Sequence, residues 1–260
     1  MTFFNLPTTI ITPFAISIIP AISSAGAEGN VSALKKTMDF TFRIVSVICL
    51  PCAFGLGVMA KPIISLLFSN PEIYRNAEGG LVYSNFLAAP MLSILAPAIL
   101  FSGLITVSAA ILQASGYERK SILSSCCGVA TKALAVWTLV SLPRIGHYGI
   151  PLSTLLAYLV MFCFNMYFLS HYLHYRVSFR KILLKPLICA CLCGGSAAIV
   201  YIALKSSLPG MIATVLAVLV AALVYLISLF RLGGFGKEDV LMLPKGAMVL
   251  RVLTRVRLVK

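Results

Sequence analysis

Carboxylates are almost missing from this chain: Asp and Glu together number 7 in 260 residues. They are Glu28, Asp39, Glu72, Glu78, Glu118, Glu238 and Asp239, and none is expected inside a membrane span. Intramembrane proton relays and ion sites draw on such residues, so the scarcity counts against an autonomous ion-coupled pump. Charge of either sign is also sparse, at 11%, where soluble domains carry about 25%. With 60% hydrophobic residues and a mean hydropathy of +1.01, a water-soluble core protein is a poor reading. Strand-type alternation of period two is lacking, which argues against a transmembrane β-barrel. Paired carboxylates, a serine–histidine set and a glycine-rich phosphate loop are lacking too. No catalytic residue, cofactor or metal site is therefore expected. The three histidines, His147, His171 and His174, fall at segment ends, where interfacial placement explains them better than acid–base work. The first apolar stretch has no basic n-region and no clean small-residue cleavage site, so it is not read as a removable signal peptide.

What the chain does have is long apolar runs. A helix needs roughly 20 apolar residues to cross a bilayer. Spans are expected at 3–24, 43–68, 81–113, 121–142, 148–172, 183–204 and 210–230. A lipid-facing backbone must satisfy its own hydrogen bonds, so these spans are helices. The fold class is an all-α, polytopic membrane helix bundle. The run over 81–113 is too long for one straight crossing and is expected to tilt or break between Pro90 and Pro97. The polar stretch over 25–41 is expected as a connecting helix.

The net charge of +14 sits almost entirely in every second gap. Lys35, Lys36 and Arg43 flank the first gap, Arg119 and Lys120 the third, and Arg176, Arg180, Lys181 and Lys185 the fifth. Most of the rest lies in the tail beyond Arg231, while Lys61, Arg75, Arg144 and Lys205 hold the opposite side. Basic residues are retained on the cytoplasmic side, which places the C-terminus inside and the N-terminus outside. The pattern explains the charge without a nucleic acid, and some of it suits anionic lipid headgroups. A chain that starts outside is expected to be the rear portion of a longer transporter. From Met248 on, basic and apolar residues alternate, consistent with a helix on the inner leaflet or with a disordered basic tail.

Few residues inside the spans are polar. Lys132 is the one charge expected mid-span. Such a charge costs at least ~2.5–3.5 kcal/mol on insertion scales and tends to face a cavity or a partner. It could meet an anionic group such as a lipid diphosphate, or it could snorkel to the interface. Gln113, Asn85 and Asn165 could line a cavity or bond between helices. Pro7, Pro13 and Pro20, with Asn5, Thr8, Thr9 and Thr12, mark the first span either as an interrupted, path-lining helix or as one that merely tolerates proline. The eight cysteines all lie in expected spans. Cys189 and Cys193 share a face and read as apolar filler or, less simply, as half of a metal site.

Five blocks carry more than composition does. The first runs from Asn5-Leu6-Pro7 through Thr12-Pro13 to Ile19-Pro20-Ala21-Ile22-Ser23. The second joins Leu50-Pro51-Cys52-Ala53-Phe54-Gly55-Leu56 to Ala60-Lys61-Pro62-Ile63-Ile64. Ala110-Ile111-Leu112-Gln113-Ala114-Ser115-Gly116 is the third, and Tyr148-Gly149-Ile150-Pro151-Leu152-Ser153-Thr154 is the fourth. The fifth holds Lys237-Glu238-Asp239-Val240 and Leu243-Pro244-Lys245-Gly246. Their order and spacing, over nearly the whole chain, resemble the C-terminal half of the stage V sporulation protein B group. That group is similar to oligosaccharide and lipid II flippases of the multidrug/oligosaccharidyl-lipid/polysaccharide exporter superfamily.

The resemblance implies a fourteen-helix protein: two six-helix lobes around a cavity that opens alternately to either side, plus two C-terminal helices. The implied cargo is an undecaprenyl-diphosphate-linked oligosaccharide for peptidoglycan or polysaccharide synthesis, with sporulation as one setting. The seven spans then match family helices eight to fourteen. Residues 1–172 correspond to an incomplete C-terminal lobe, 173–230 to the two added helices and 231–260 to a basic cytoplasmic tail. The family's charged cavity residues fall in the part not matched, so none is carried over, and Val136 stands where relatives often have asparagine. The cavity-lining candidates are Lys132, Gln113, Asn5, Pro13, Asn85 and Asn165. Expected partners are the lipid-linked oligosaccharide, the bilayer with its anionic headgroups, and a separate chain supplying the first lobe. The expected location is the bacterial plasma membrane. Competing readings are half of a multidrug exporter, a seven-helix receptor, and a membrane scaffold or fragment without transport of its own.

Overall fold

The computed structural model describes residues 2–28, 31–67, 73–75, 81–142, 145–175 and 177–232. Helix α1 is Thr2–Ala27, α2 is Val31–Val58 and the short α3 is Ala60–Leu67. Two three-residue strands, β1 (Ile73–Arg75) and β2 (Leu81–Tyr83), pair antiparallel with Tyr74 opposite Val82. Helices α4 (Ser84–Ala114), α5 (Glu118–Val140), α6 (Gly149–Tyr172), α7 (Phe179–Lys205) and α8 (Gly210–Arg231) complete the bundle. Seven of these eight helices are long and apolar enough to cross a membrane. The all-α membrane bundle expected from composition is therefore the observed class.

Four boundaries differ from the sequence reading. The second span does not run over 43–68. It belongs to one helix, Val31–Val58, which breaks at Met59 before α3. Pro62 lacks the N–H that would bond the Val58 carbonyl, so the helical ladder fails there. The polar stretch over 25–41 is not a separate connecting helix but the end of α1 and the start of α2. Asp39 consequently lies within a span-length helix, contrary to the expectation for every acid. Residues 81–83 form a strand rather than the start of the third span, and α4 continues unbroken through Pro90 and Pro97. The Ser93 hydroxyl supports that stretch by donating to the Ala89 and Gly57 carbonyls at 3.3 and 3.1 Å. The expected tail lies, beyond Leu232, outside the described residues.

Helix α4 is the hub and packs against α1, α2, α3, α5 and α6. Its C-terminus closes in a Schellman turn: Tyr117 N–H bonds the Leu112 carbonyl and Gly116 N–H bonds the Gln113 carbonyl. Gly116 supplies the left-handed conformation the turn requires, at φ 82°. One buried cluster joins α1, α2, α4 and α6 through residues such as Ile11, Val45, Ile99 and Leu169. A second joins α2 to the α7–α8 hairpin through Leu50, Ala190, Ala217 and Tyr225, and it contains Cys189 and Cys193. Large apolar side chains cover much of the outside, with Ile199 at 69%, Ile202 at 72% and Trp137 at 76% exposed. A soluble monomer rarely shows so much contiguous apolar surface; a hydrocarbon surround explains it.

Candidate functional site

Helix α1 is held from one side. Ile11, Ala15, Ile18 and Ile22 are buried at spacings of three and four, the stripe that turns one helical face to its neighbours. Thr9, Thr12, Pro13, Ile16 and Pro20 are exposed on the other side. Two hydroxyls fasten the helix to α4: Thr8 Oγ1 hydrogen-bonds Ser102 Oγ at 3.0 Å, and Ser23 donates to the Ala114 carbonyl at 3.0 Å. Thr12 is turned back onto its own helix, donating to the Thr8 carbonyl at 2.9 Å. Pro13, a residue singled out from sequence, stands on this outward face. Asn5 lies in the first turns of α1 and Asn85 in the first turn of α4; the side chains of both fall outside the described residues.

Asn165 is 1% exposed and joins α6 to α4 by donating from Nδ2 to Ser108 Oγ at 2.9 Å. Ser108 in turn donates to the Ile105 carbonyl at 3.0 Å. Asn165 Oδ1 has no hydrogen-bond partner among the described residues. Gln113 is exposed, next to the closing turn of α4.

Lys132 is exposed on α5. That helix rests on α6 along a stripe of small residues, Ser121, Ser124 and Gly128, the only positions it buries among those described. Small residues let membrane helices approach closely, and Ser124 adds a hydrogen bond to the Met161 carbonyl at 2.9 Å. Lys132 lies one turn beyond Gly128, at the edge of the stripe. No hydrogen bond joins Lys132, Gln113 and Asn165 to one another among the described residues.

An apolar groove of about 320 Å³ escaped the sequence reading. It lies between α2, α4 and α7, lined by Phe54, Val58, Pro97, Leu100 and Leu187 among others. With nearly no polar lining, it suits hydrocarbon and not sugar. Only the helix packing brings these positions together, so no local sequence signal could have marked it.

Seven helices long and apolar enough to span, packed into one bundle with an apolar outer surface, define a polytopic, multi-pass membrane protein. The chain belongs to the lipid II flippase MurJ family, whose model matches residues 2–213. It is similar to the lipid II flippase MurJ of Bacillus subtilis (strain 168), with 23% identity over 180 residues, 69% of this chain and 30% of that one. It is also similar to the uncharacterized membrane protein YabM of the same organism, with 25% identity over 250 residues, 93% of this chain and 43% of that one. A solved structure of lipid II flippase MurJ in an inward closed conformation shares the fold, with a TM-score of 0.63 and 14% identity over 87% of this chain and 46% of that one. The chain thus spans less than half the length of each of these relatives.

Proposed function

We propose that this chain supplies one lobe and the flanking helix pair of a flippase that carries a lipid-linked peptidoglycan precursor across the bacterial plasma membrane. The observation that carries this reading is the family match over residues 2–213. The exposed face of α1, with Thr9, Thr12 and Pro13, would then meet the other lobe and the headgroup path between them. Lys132 and Gln113, both exposed, are the residues available to an anionic diphosphate, and the apolar groove offers room for hydrocarbon. Residues 1–172 serve as the lobe and 173–230 as the added pair, which packs on the lobe through Leu50 and Met59. The remaining lobe comes from the same polypeptide or from a separate chain.

The N-terminal end of α1 faces outward and the C-terminal end of α8 faces the cytoplasm. Among the described residues, Lys35, Lys36, Arg119, Lys120, Arg180, Lys185 and Arg231 lie near helix ends on one side of the bundle, with Lys61 and Lys205 on the other. That asymmetry supports the orientation. Reporter fusions at both termini test it, and the reverse signal refutes it. For transport, the chain is expressed together with the other lobe in cells depleted of their lipid II flippase. Growth and translocation of the lipid-linked precursor are the expected result. Failure of a well-expressed two-lobe protein in the membrane overturns the reading.

A further inference from the structure

At the basic end of the bundle a polar pocket of about 500 Å³ opens between α2 and the α6–α7 connection. Its walls carry Lys35, Asp39, Ser170, His174, Tyr175 and Ser178. Lys35 and Asp39 are four residues apart on α2, which puts them on one helical face. The other wall is made by the way α6 ends. His174 adopts the left-handed conformation at φ 48°, and the Tyr175 N–H returns to the Leu169 carbonyl at 3.3 Å. Histidine is among the few non-glycine types enriched in that conformation.

The turn buries Tyr175 to 3% exposure and stacks its ring on Phe42, centroids 6.2 Å apart. Its hydroxyl donates to Asp39 Oδ1. Burial first, then the bond to Asp39 and its charge, push the Tyr175 phenol above its ordinary value. Tyr175 therefore remains a protonated donor and occupies one carboxylate oxygen. Left at the pocket wall are the second Asp39 oxygen, the Lys35 ammonium, the His174 ring and two serine hydroxyls.

We propose that this pocket holds the headgroup of an aminophospholipid, with its phosphate between Lys35 and His174 and its ammonium on Asp39. A purely anionic group would be repelled by the Asp39 carboxylate, and a purely cationic one by Lys35. A headgroup carrying both charges a short linker apart uses every wall. The position favours a lipid over a soluble metabolite, because Lys35, Asp39 and Ser178 lie where helices leave the hydrocarbon at the basic end. Basic pockets between transmembrane helices are where lipid headgroups bind, and the volume falls within the roughly 300–1,000 Å³ of small-molecule sites.

The test is native mass spectrometry of the purified, delipidated full chain titrated with phosphatidylethanolamine, phosphatidylglycerol and phosphatidylcholine of equal chain length. One tight phosphatidylethanolamine site is expected, preferred over phosphatidylglycerol by about tenfold, the worth of one charge-assisted hydrogen bond. Lys35→Met, an exposed position that leaves the core intact, should weaken binding of both lipids by about tenfold. Asp39→Asn keeps an oxygen for Tyr175 and should abolish the preference while phosphatidylglycerol still binds. Equal retention of all three lipids, undiminished binding in Lys35→Met, or an unchanged preference in Asp39→Asn overturns the proposal. Soluble phosphoethanolamine should compete for the site. Inorganic phosphate competing equally well would identify a free-anion site and overturn the headgroup assignment.

Discussion

The Tyr225 hydroxyl on α8 donates to the Val47 carbonyl on α2 at 2.7 Å. Val47 is the residue whose carbonyl would accept the N–H of position 51, and position 51 is proline. One helix therefore supplies the donor that another lacks. Prolines persist in membrane helices where neighbours satisfy the freed carbonyl in this way.

Removing the hydroxyl should unmask that dependence. Tyr225→Phe is expected to destabilise the protein by about 1–2 kcal/mol, the cost of leaving a buried acceptor unsatisfied. Pro51→Ala restores the intrahelical N–H, so in that background the same change should cost distinctly less. Thermal unfolding of the four proteins in detergent gives the coupling. Equal costs in both backgrounds would show that Tyr225 acts by packing alone.

Gly103 marks where α1, α2 and α4 meet most tightly. A Cβ placed there would collide with Cys49 Sγ and stand 2.9 Å from Val45 Cγ1 and 3.1 Å from Ile11 Cδ1. Gly103→Ala should cost about 1–3 kcal/mol as overpacking. Gly195 on α7 has nothing within 4 Å of the same position, and Gly195→Ala should be neutral or stabilising by up to ~1 kcal/mol. Midpoints of thermal unfolding compare the pair.

The Asn165–Ser108 contact should behave as a unit. Ser108→Ala leaves a buried amide with no acceptor and is expected to cost about 1–3 kcal/mol. Adding Asn165→Leu to it removes the stranded groups together and should recover most of that loss. The readout is again the unfolding midpoint, and a strictly additive double variant would contradict the coupling.

Tyr175 gives a pH dependence. Its folded-state value is raised above the ordinary 10.0, so the fold favours the neutral phenol. The associated stability is complete below pH 10 and is lost as pH climbs through the folded value. Unfolding midpoints should fall above pH 10, and Tyr175→Phe should flatten that limb of the profile.

The spans were legible because burial in hydrocarbon demands continuous apolar sequence. The run expected at 148–172 is the helix Gly149–Tyr172, and that at 210–230 is Gly210–Arg231. The turn at Gly116 could have been sought on the same footing, since a left-handed closing residue is commonly glycine, but it was found only in the structure. The break at Met59 was hidden because residues on both sides are equally apolar. Lys132 and Gln113 could be named from polarity, but their exposure depends on which face each helix turns to its neighbours. The pocket was invisible for a related reason: Asp39 and Tyr175 stand 136 positions apart, and a left-handed histidine has no reliable signature.

The bond between Thr8 and Ser102 spans 94 positions of sequence. At ribosomal rates of about 5–20 residues per second, roughly 5–20 s separate the making of its two partners. During that interval α1 is without the hub helix, its main neighbour. Cotranslational assembly is therefore ordered: α1 docks on the hub helix only after that helix has been synthesised.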